Sequence, residues 1–183
     1  METNPDYLIF RELFCIDPGK GGAIAKYESG KRIEVINMPE FEKLCDYFDC
    51  QLTICKNPLI IIEKVQVRPG DEVGGKQFAI EKMLRQYTEL ITVIKTRKIP
   101  YIEVHPISWQ SYLKIKIGGE ERNVRKRRYC DISKDLYPAL KVTLKNCDAL
   151  LLIEFARRKL KYEKQWLIVN MKKPEKKIEL FKK

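Results

Sequence analysis

The sequence predicts an α/β fold: a mixed five-stranded sheet, three antiparallel strands followed by parallel ones, with helices on both faces. Three observations lead there. Two short runs, Leu13–Asp17 (LFCID) and Leu59–Glu63 (LIIIE), are apolar without alternation, as strands in a sheet covered on both sides are. The first run is followed closely by two more strand-like segments. From residue 40 onward, segments of helical period alternate with strands, which demands crossover connections.

The elements follow in order. After Leu13–Asp17, the glycines Gly19, Gly21 and Gly22 supply a tight turn that keeps the backbone beside Asp17 uncrowded. They do not match a phosphate-binding glycine loop. Ala23–Tyr27 and Arg32–Asn37 form a hairpin about the turn ESGK. Residues 40–56 read as a weakly patterned helix. A loop with Pro69, Gly70, Gly74 and Gly75 follows Glu63. Over 76–97, Phe78, Ile80, Met83, Leu84, Tyr87, Leu90, Ile91 and Ile94 recur at helical spacing. Tyr101–Val104 is a short strand and Pro106–Leu113 a short helix with proline at its start. Glu121–Leu136 is a basic helix that stops before Pro138. Asn146–Leu160 is a helix with Leu151, Leu152 and Phe155 on one side. The tail contains WLIVN, which adds a small strand or docks on the body.

At 183 residues, 44% hydrophobic and 33% charged, the chain suits one soluble domain, read as a body over 1–160 with a basic extension over 161–183. No apolar stretch approaches the roughly 20 residues that span a bilayer. The start, METNPDYLIFRELF, has no basic segment followed by an apolar core. An intracellular, soluble protein with no membrane partner is expected. Six cysteines without a CxxC pair, and a single histidine, His105, argue against zinc and for reduced, packed thiols.

The net charge is +11, and two segments hold most of it. Residues 114–134 carry eight basic residues against three acidic ones, and residues 161–183 the same. Clustered positive charge attracts polyanions, because neutralised phosphates release condensed counterions. A solvated face accounts for the tail as readily. The 114–134 block favours nucleic acid.

Three acids stand out against this background. Asp17 and Glu63 each end a buried strand. If the strands are parallel neighbours, both acids emerge at one edge of the sheet. Asp148 lies on the first turn of an apolar helix and shares a face with Leu151, Leu152 and Phe155. Each acid alone would be read as a cap or a salt bridge. Three converging carboxylates repel one another, and a divalent cation resolves the repulsion. Oxygen-only ligands select Mg²⁺ or Mn²⁺, and two such ions suit in-line phosphodiester hydrolysis.

These residues bear a resemblance. CIDPGKGGAIA, IIIEKVQVRPGDEVGG, IPYIEVHPISWQSYL and CDALLLIEFARRK are similar, in order, to four segments of the RuvC family of Holliday-junction resolvases, and more closely to its short phage- and virus-type members. The four cover about residues 10–160. The resemblance implies a ribonuclease H-like fold and a homodimer that makes paired nicks in four-way DNA, leaving 5′-phosphate and 3′-hydroxyl ends. It implies Asp17, Glu63 and Asp148 as catalytic and metal-holding residues, with Mg²⁺ or Mn²⁺ and no nucleotide cofactor. Lys114, Lys116, Arg122, Arg125 and Lys126 lie on the stretch that contacts DNA in relatives. Lys20 and Arg68 are further DNA-binding candidates, and Lys126 is the best placed to meet charge at the scissile phosphate.

The chain departs from the family at two places. Lys145 stands where many members carry another acid, three residues before the last Asp. Gln66 stands where the cellular enzyme has its junction-inserting Phe, so Arg68 is the candidate for that task. Neither Asn146 nor Glu154 is an obvious fourth ligand, since Glu154 is six residues beyond Asp148 and points elsewhere on the helix. His105 is read as structural, and Trp109 and Phe78 as core aromatics. A catalytically weak junction-binding module on the same fold is the alternative. A sugar-kinase-like ATPase would need a second domain, for which the chain is too short.

Overall fold

The computed structural model describes residues 10–19, 21–67 and 77–172. Lys20 and Arg68 lie outside the described residues, as does most of the glycine-rich loop after Glu63.

Five strands form one sheet in the order β3-β2-β1-β4-β5. β1 (Glu12–Asp17) is central; β2 (Ala23–Glu28) pairs with it antiparallel on one side and β4 (Pro58–Glu63) parallel on the other. β3 (Glu34–Asn37) extends the antiparallel side, and β5 (Tyr101–Val104) runs parallel to β4. The mixed pairing is the predicted one.

The alternation of side chains along the strands decides what each sheet face receives. Leu13 and Cys15 of β1, Ala23 and Ala25 of β2, and Leu59 and Ile61 of β4 point to one face. There they meet α5 (Cys147–Tyr162), which buries nine side chains, among them Leu151, Leu152 and Phe155. Trp109 of α3 (Pro106–Tyr112) and Tyr129 of α4 (Arg122–Leu136) complete this core. Phe14, Ile16, Ile60 and Ile62 point to the other face, under α1 (Phe41–Ile54) and α2 (Gln77–Thr96).

α2 buries only Leu90, Val93 and Ile94. Its N-terminal half stands clear of the sheet, with Phe78 76% exposed, so Phe78 is not a core residue. Helical periodicity reports a face, not how far along the helix that face is covered.

The WLIVN segment is helical, not a strand. It lies in α6 (Lys164–Asn170), with Leu167 buried and the Trp166 ring edge-on to Phe155 at 5.5 Å. Lys159 of α5 is buried and places its ammonium 4.2 Å from the Tyr112 ring centre and 5.1 Å from that of Trp166, while it also bonds Glu163. Cation–π attraction therefore ties α3, α5 and α6 together. α5 runs past residue 160 without a break, and Lys172 exchanges backbone hydrogen bonds with Tyr101 at the β5 edge. All six cysteines are free. No described helix is long and apolar enough to cross a membrane.

Candidate active site

Strand parity brings the first two acids together. Asp17 continues the Leu13–Cys15 side of β1, and Glu63 continues the Leu59–Ile61 side of β4. Ile16 is in register with Ile62, so the two acids stand at adjoining strand ends on the α5 face. The chain leaves β1 through a turn closed by a Gly22 N–H bond to the Gly19 carbonyl at 2.9 Å. Gly19 has φ +106°, and a Cβ at Gly22 would lie 2.0 Å from the Asp17 carbonyl oxygen. Two of the turn glycines are thus required by backbone geometry beside Asp17.

α5 delivers the third acid. Its apolar stripe seats Leu151, Leu152 and Phe155 on the sheet, which turns Asp148, one turn earlier on the same face, toward the strand ends. The segment before α5 is shaped by Asn146, whose Oδ1 accepts from the Thr143 N–H (2.7 Å) and whose Nδ2 donates to the Lys141 carbonyl (3.1 Å). Asn146 is therefore occupied by its own loop. Ser133 donates to the Cys147 carbonyl at 3.2 Å and fixes α4 against the start of α5.

α4 contributes positive charge. Arg122, Arg125, Lys126 and Tyr129 recur at helical spacing on one side. The Lys126 ammonium is 2.5 Å from Asp148 Oδ2 and 3.9 Å from Asp17 Oδ2. It lies between two of the three acids. Glu63 takes a different partner: the buried Trp109 donates its indole N–H to Glu63 Oε2 at 2.7 Å. Trp109 is thus a core aromatic with a second task.

The electrostatics are unbalanced. Burial raises the Asp17 carboxyl well above its usual range, and the charges of Asp148 and Glu63 raise it further, against Lys126 and Arg122. Burial and Asp148 push Glu63 up to about 7, against Trp109, Lys126 and Arg125. Burial by itself would lower Lys126, but Asp148 and Asp17 outweigh it and hold its ammonium above the usual lysine range. The acids repel one another and one lysine serves two of them. Among the described residues, no three His, Cys, Asp or Glu side chains are gathered closely enough to enclose a metal ion. The donor set is nonetheless all oxygen and mutually repelling, which is the chemistry a hard cation suits.

The other sequence candidates separate. Arg122 and Arg125 act on the acids through space, as their effects on Asp17 and Glu63 record. Lys114, with φ +58°, and Lys116 are exposed between α3 and α4, without an ion pair among the described residues. Lys145 is exposed. Glu154 points away, to Tyr137, Arg157 and Arg158. The sequence reading missed the Trp109–Glu63 bond; a buried indole must find an acceptor, and a strand-end glutamate was available.

Solved structures of RuvC resemble this one. RuvC of Thermus thermophilus has a TM-score of 0.51 at 11% identity, over 88% of this chain and 99% of that one. RuvC of the same organism in complex with Holliday junction substrate also has 0.51, at 10% identity, over 83% and 96%. They share their fold with this chain. It is the RuvC-type, ribonuclease H-like sheet with helices on both faces. No family model matches the sequence, and no curated protein matches it.

Proposed function

We propose that this protein is a structure-selective DNA endonuclease that resolves four-way junctions by paired phosphodiester hydrolysis, leaving 5′-phosphate and 3′-hydroxyl ends. One observation carries the reading: Asp17, Glu63 and Asp148, from three separate elements, lie near enough at one end of the sheet for Asp148 to raise the other two, beside a basic helix face. A fold likeness to RuvC, one example of which holds a Holliday junction substrate, supports it. Residues 1–160 carry the chemistry and 161–183 form the basic extension. A homodimer presents two such sites to a junction that is itself roughly two-fold symmetric.

In this reading Asp17, Glu63 and Asp148 would hold Mg²⁺, for which Mn²⁺ would substitute, at two ions per site. The bound cation supplies activation of water and stabilisation of the leaving oxygen. The chain's own groups do the rest. The Trp109 indole fixes the rotamer of Glu63 through its 2.7 Å bond. Lys126 offsets part of the acids' repulsion, and its ammonium is placed to meet a phosphate oxygen. Arg122 and Arg125 neutralise the phosphates on either side, which positions DNA without reading its sequence. Lys114 and Lys116 extend that contact, and Lys20 and Arg68 flank the site in sequence.

A specific observation favours a second reading, a junction-binding module without catalysis. Lys145 replaces an acid of the family pattern, and the lysine between Asp17 and Asp148 already offsets part of their charge. A labelled four-way junction and a linear duplex, each incubated in Mg²⁺, Mn²⁺ or EDTA, separate the two. Symmetric, metal-dependent nicks in the junction alone are expected. Junction binding without nicks in either metal would replace the first reading with the second.

A further inference from the structure

The far end of α5 carries a second basic surface, at the opposite end of the sheet from the acids. β1 and α5 run in opposite directions: Leu160 lines a groove with Glu12, while Asp148 and Asp17 share Lys126. Two adjoining grooves of about 590 and 610 Å³ lie there and share Tyr27 and Leu160 as a common wall.

The charges bordering these grooves are not evenly matched. Each carboxylate is already engaged. Glu12 is buried and accepts from the Asn57 N–H at 3.2 Å. Glu28 pairs with Lys31 at 2.7 Å. Glu154 accepts from Tyr137, Arg157 and Arg158. Arg11, Lys56, Lys161 and Lys164 remain exposed, with no ion pair among the described residues. Two aromatic rings are paired with cations here. Arg157 lies 4.9 Å over Tyr27, and Lys161 4.8 Å over Tyr162, which is 67% exposed. A face that needed only solubility would require neither a groove nor an exposed ring. A concave surface with unopposed cations at its rim complements a phosphate backbone.

We infer that the Lys56, Lys161 and Lys164 groove is a second DNA-binding surface, which holds the phosphate backbone of a duplex arm leaving the junction. The inference rests on the proposed nuclease reading for the placement of that arm. The fourteen residues from Asp148 to Tyr162 span about 21 Å of helix. At 3.4 Å per step, that is roughly six base pairs from a phosphate held at the acids. The far groove acts as an anchor outside the site: it lengthens the DNA footprint and adds to the salt dependence of binding, and it contributes nothing to choosing the scissile bond.

The test compares the full chain with a Lys56→Gln/Lys161→Gln/Lys164→Gln variant and its all-Arg counterpart, on a junction with long arms. Two readouts are taken: the slope of log affinity against log salt, and a hydroxyl-radical footprint. The Gln variant should lose about 2 to 3 of the slope, at about 0.9 per phosphate contact. It should also lose protection centred roughly six base pairs from the branch point while protection at the branch point persists. The Arg variant should restore both, which excludes misfolding as the cause. An unchanged slope and footprint in the Gln variant would overturn the inference. The two proposals fail separately. Nicks without distal protection remove the anchor and leave the nuclease; distal protection on a junction that is never cut removes the nuclease and leaves the anchor.

Discussion

The two ends of α5 are built on opposite electrostatic imbalances. At the start of the helix, three acids share few cations, and Lys126 divides itself between Asp148 and Asp17. From mid-helix onward, one acid, Glu154, is divided among three donors, Tyr137, Arg157 and Arg158. One helix and one sheet support both. At the far end the carboxylate is satisfied and the excess cations face water. At the near end the carboxylates are half-buried, their repulsion is only partly offset, and two of them are pushed toward the neutral form. Burial of unbalanced like charge costs stability unless something outside the chain completes it. The imbalance, more than the presence of acids, marks the near end as the candidate site.

The largest effect should come from removing the near-end acids one at a time. Asp17→Asn, Glu63→Gln and Asp148→Asn should each lower nicking by about a thousandfold or more, the scale of several kcal/mol of charge stabilisation. Junction binding should change little. Metal-free melting temperature should hold or rise in each variant, because a repelling charge is gone. A fall in melting temperature with loss of circular dichroism would mean that the acids are structural, and the contrast between the ends would collapse.

Lys126 sharpens the contrast from the other side. Lys126→Met should slow nicking by about a hundredfold, as loss of a charged group at a reacting phosphate does. The same variant should bind Mn²⁺ more tightly by about tenfold, read by Mn²⁺ electron paramagnetic resonance without any DNA, because no ammonium then competes for Asp17 and Asp148. Its metal-free form should melt lower than the parent. Weaker Mn²⁺ binding would show that the lysine helps assemble the acids and does not compete with the cation.

Much of this was legible in the sequence, for physical reasons that differ by residue. β1 and β4 announced themselves as apolar runs that no solvent-facing strand would carry, and each ended in an acid. Asp148 could be placed on the sheet side of its helix because Leu151, Leu152 and Phe155 fix the phase. What could not be read were choices among equals. Residues 114–134 hold eight basic side chains, yet only the three at helical spacing, Arg122, Arg125 and Lys126, face the acids, while Arg128 is taken by Glu120 at 2.6 Å. The helix phase that selects them depends on Tyr129 packing against Trp109, a contact between distant segments at 5.8 Å. The exposure of Phe78 was hidden for the same reason: period gives a face, and only tertiary structure gives its cover.

The two ends should also answer pH with opposite sign. Burial and the charge of Asp148 push the Glu63 carboxyl up to about 7 from 4.5, so the native state holds an extra proton between those values. The stability this gives is full below about pH 4.5 and disappears as pH rises through 7. At the far end, the hydrogen bond from Lys159 lowers the carboxyl of Glu163, an exposed group. Its smaller contribution is present above about 4.5 and lost as the solution becomes more acid. Metal-free melting temperature should therefore fall from pH 5 to pH 8, and Glu63→Gln should flatten that part of the profile. A melting profile that rises from pH 5 to pH 8 would place the dominant shift elsewhere.

The smallest effect belongs to Glu154, and it is the most pointed check on the comparison. By residue type and helix it is a plausible fourth ligand in a chain that has Lys145 where its resemblance predicts an acid. Its geometry says otherwise. The carboxylate bonds Tyr137 at 3.0 Å, Arg158 at 2.8 Å and Arg157 at 3.3 Å, all at the far end. Glu154→Gln keeps the size and one acceptor oxygen but removes the charge. Arg157 and Arg158 are about two-fifths exposed, so their pairing is worth little; the loss falls mainly on the bond from Tyr137. About 1 kcal/mol of stability should go, with nicking within twofold of the parent and Mn²⁺ affinity unchanged. A thousandfold loss of nicking at full stability would mean that Glu154 turns to the acids when a cation binds, and that the satisfied end of α5 is a reserve for the unsatisfied one.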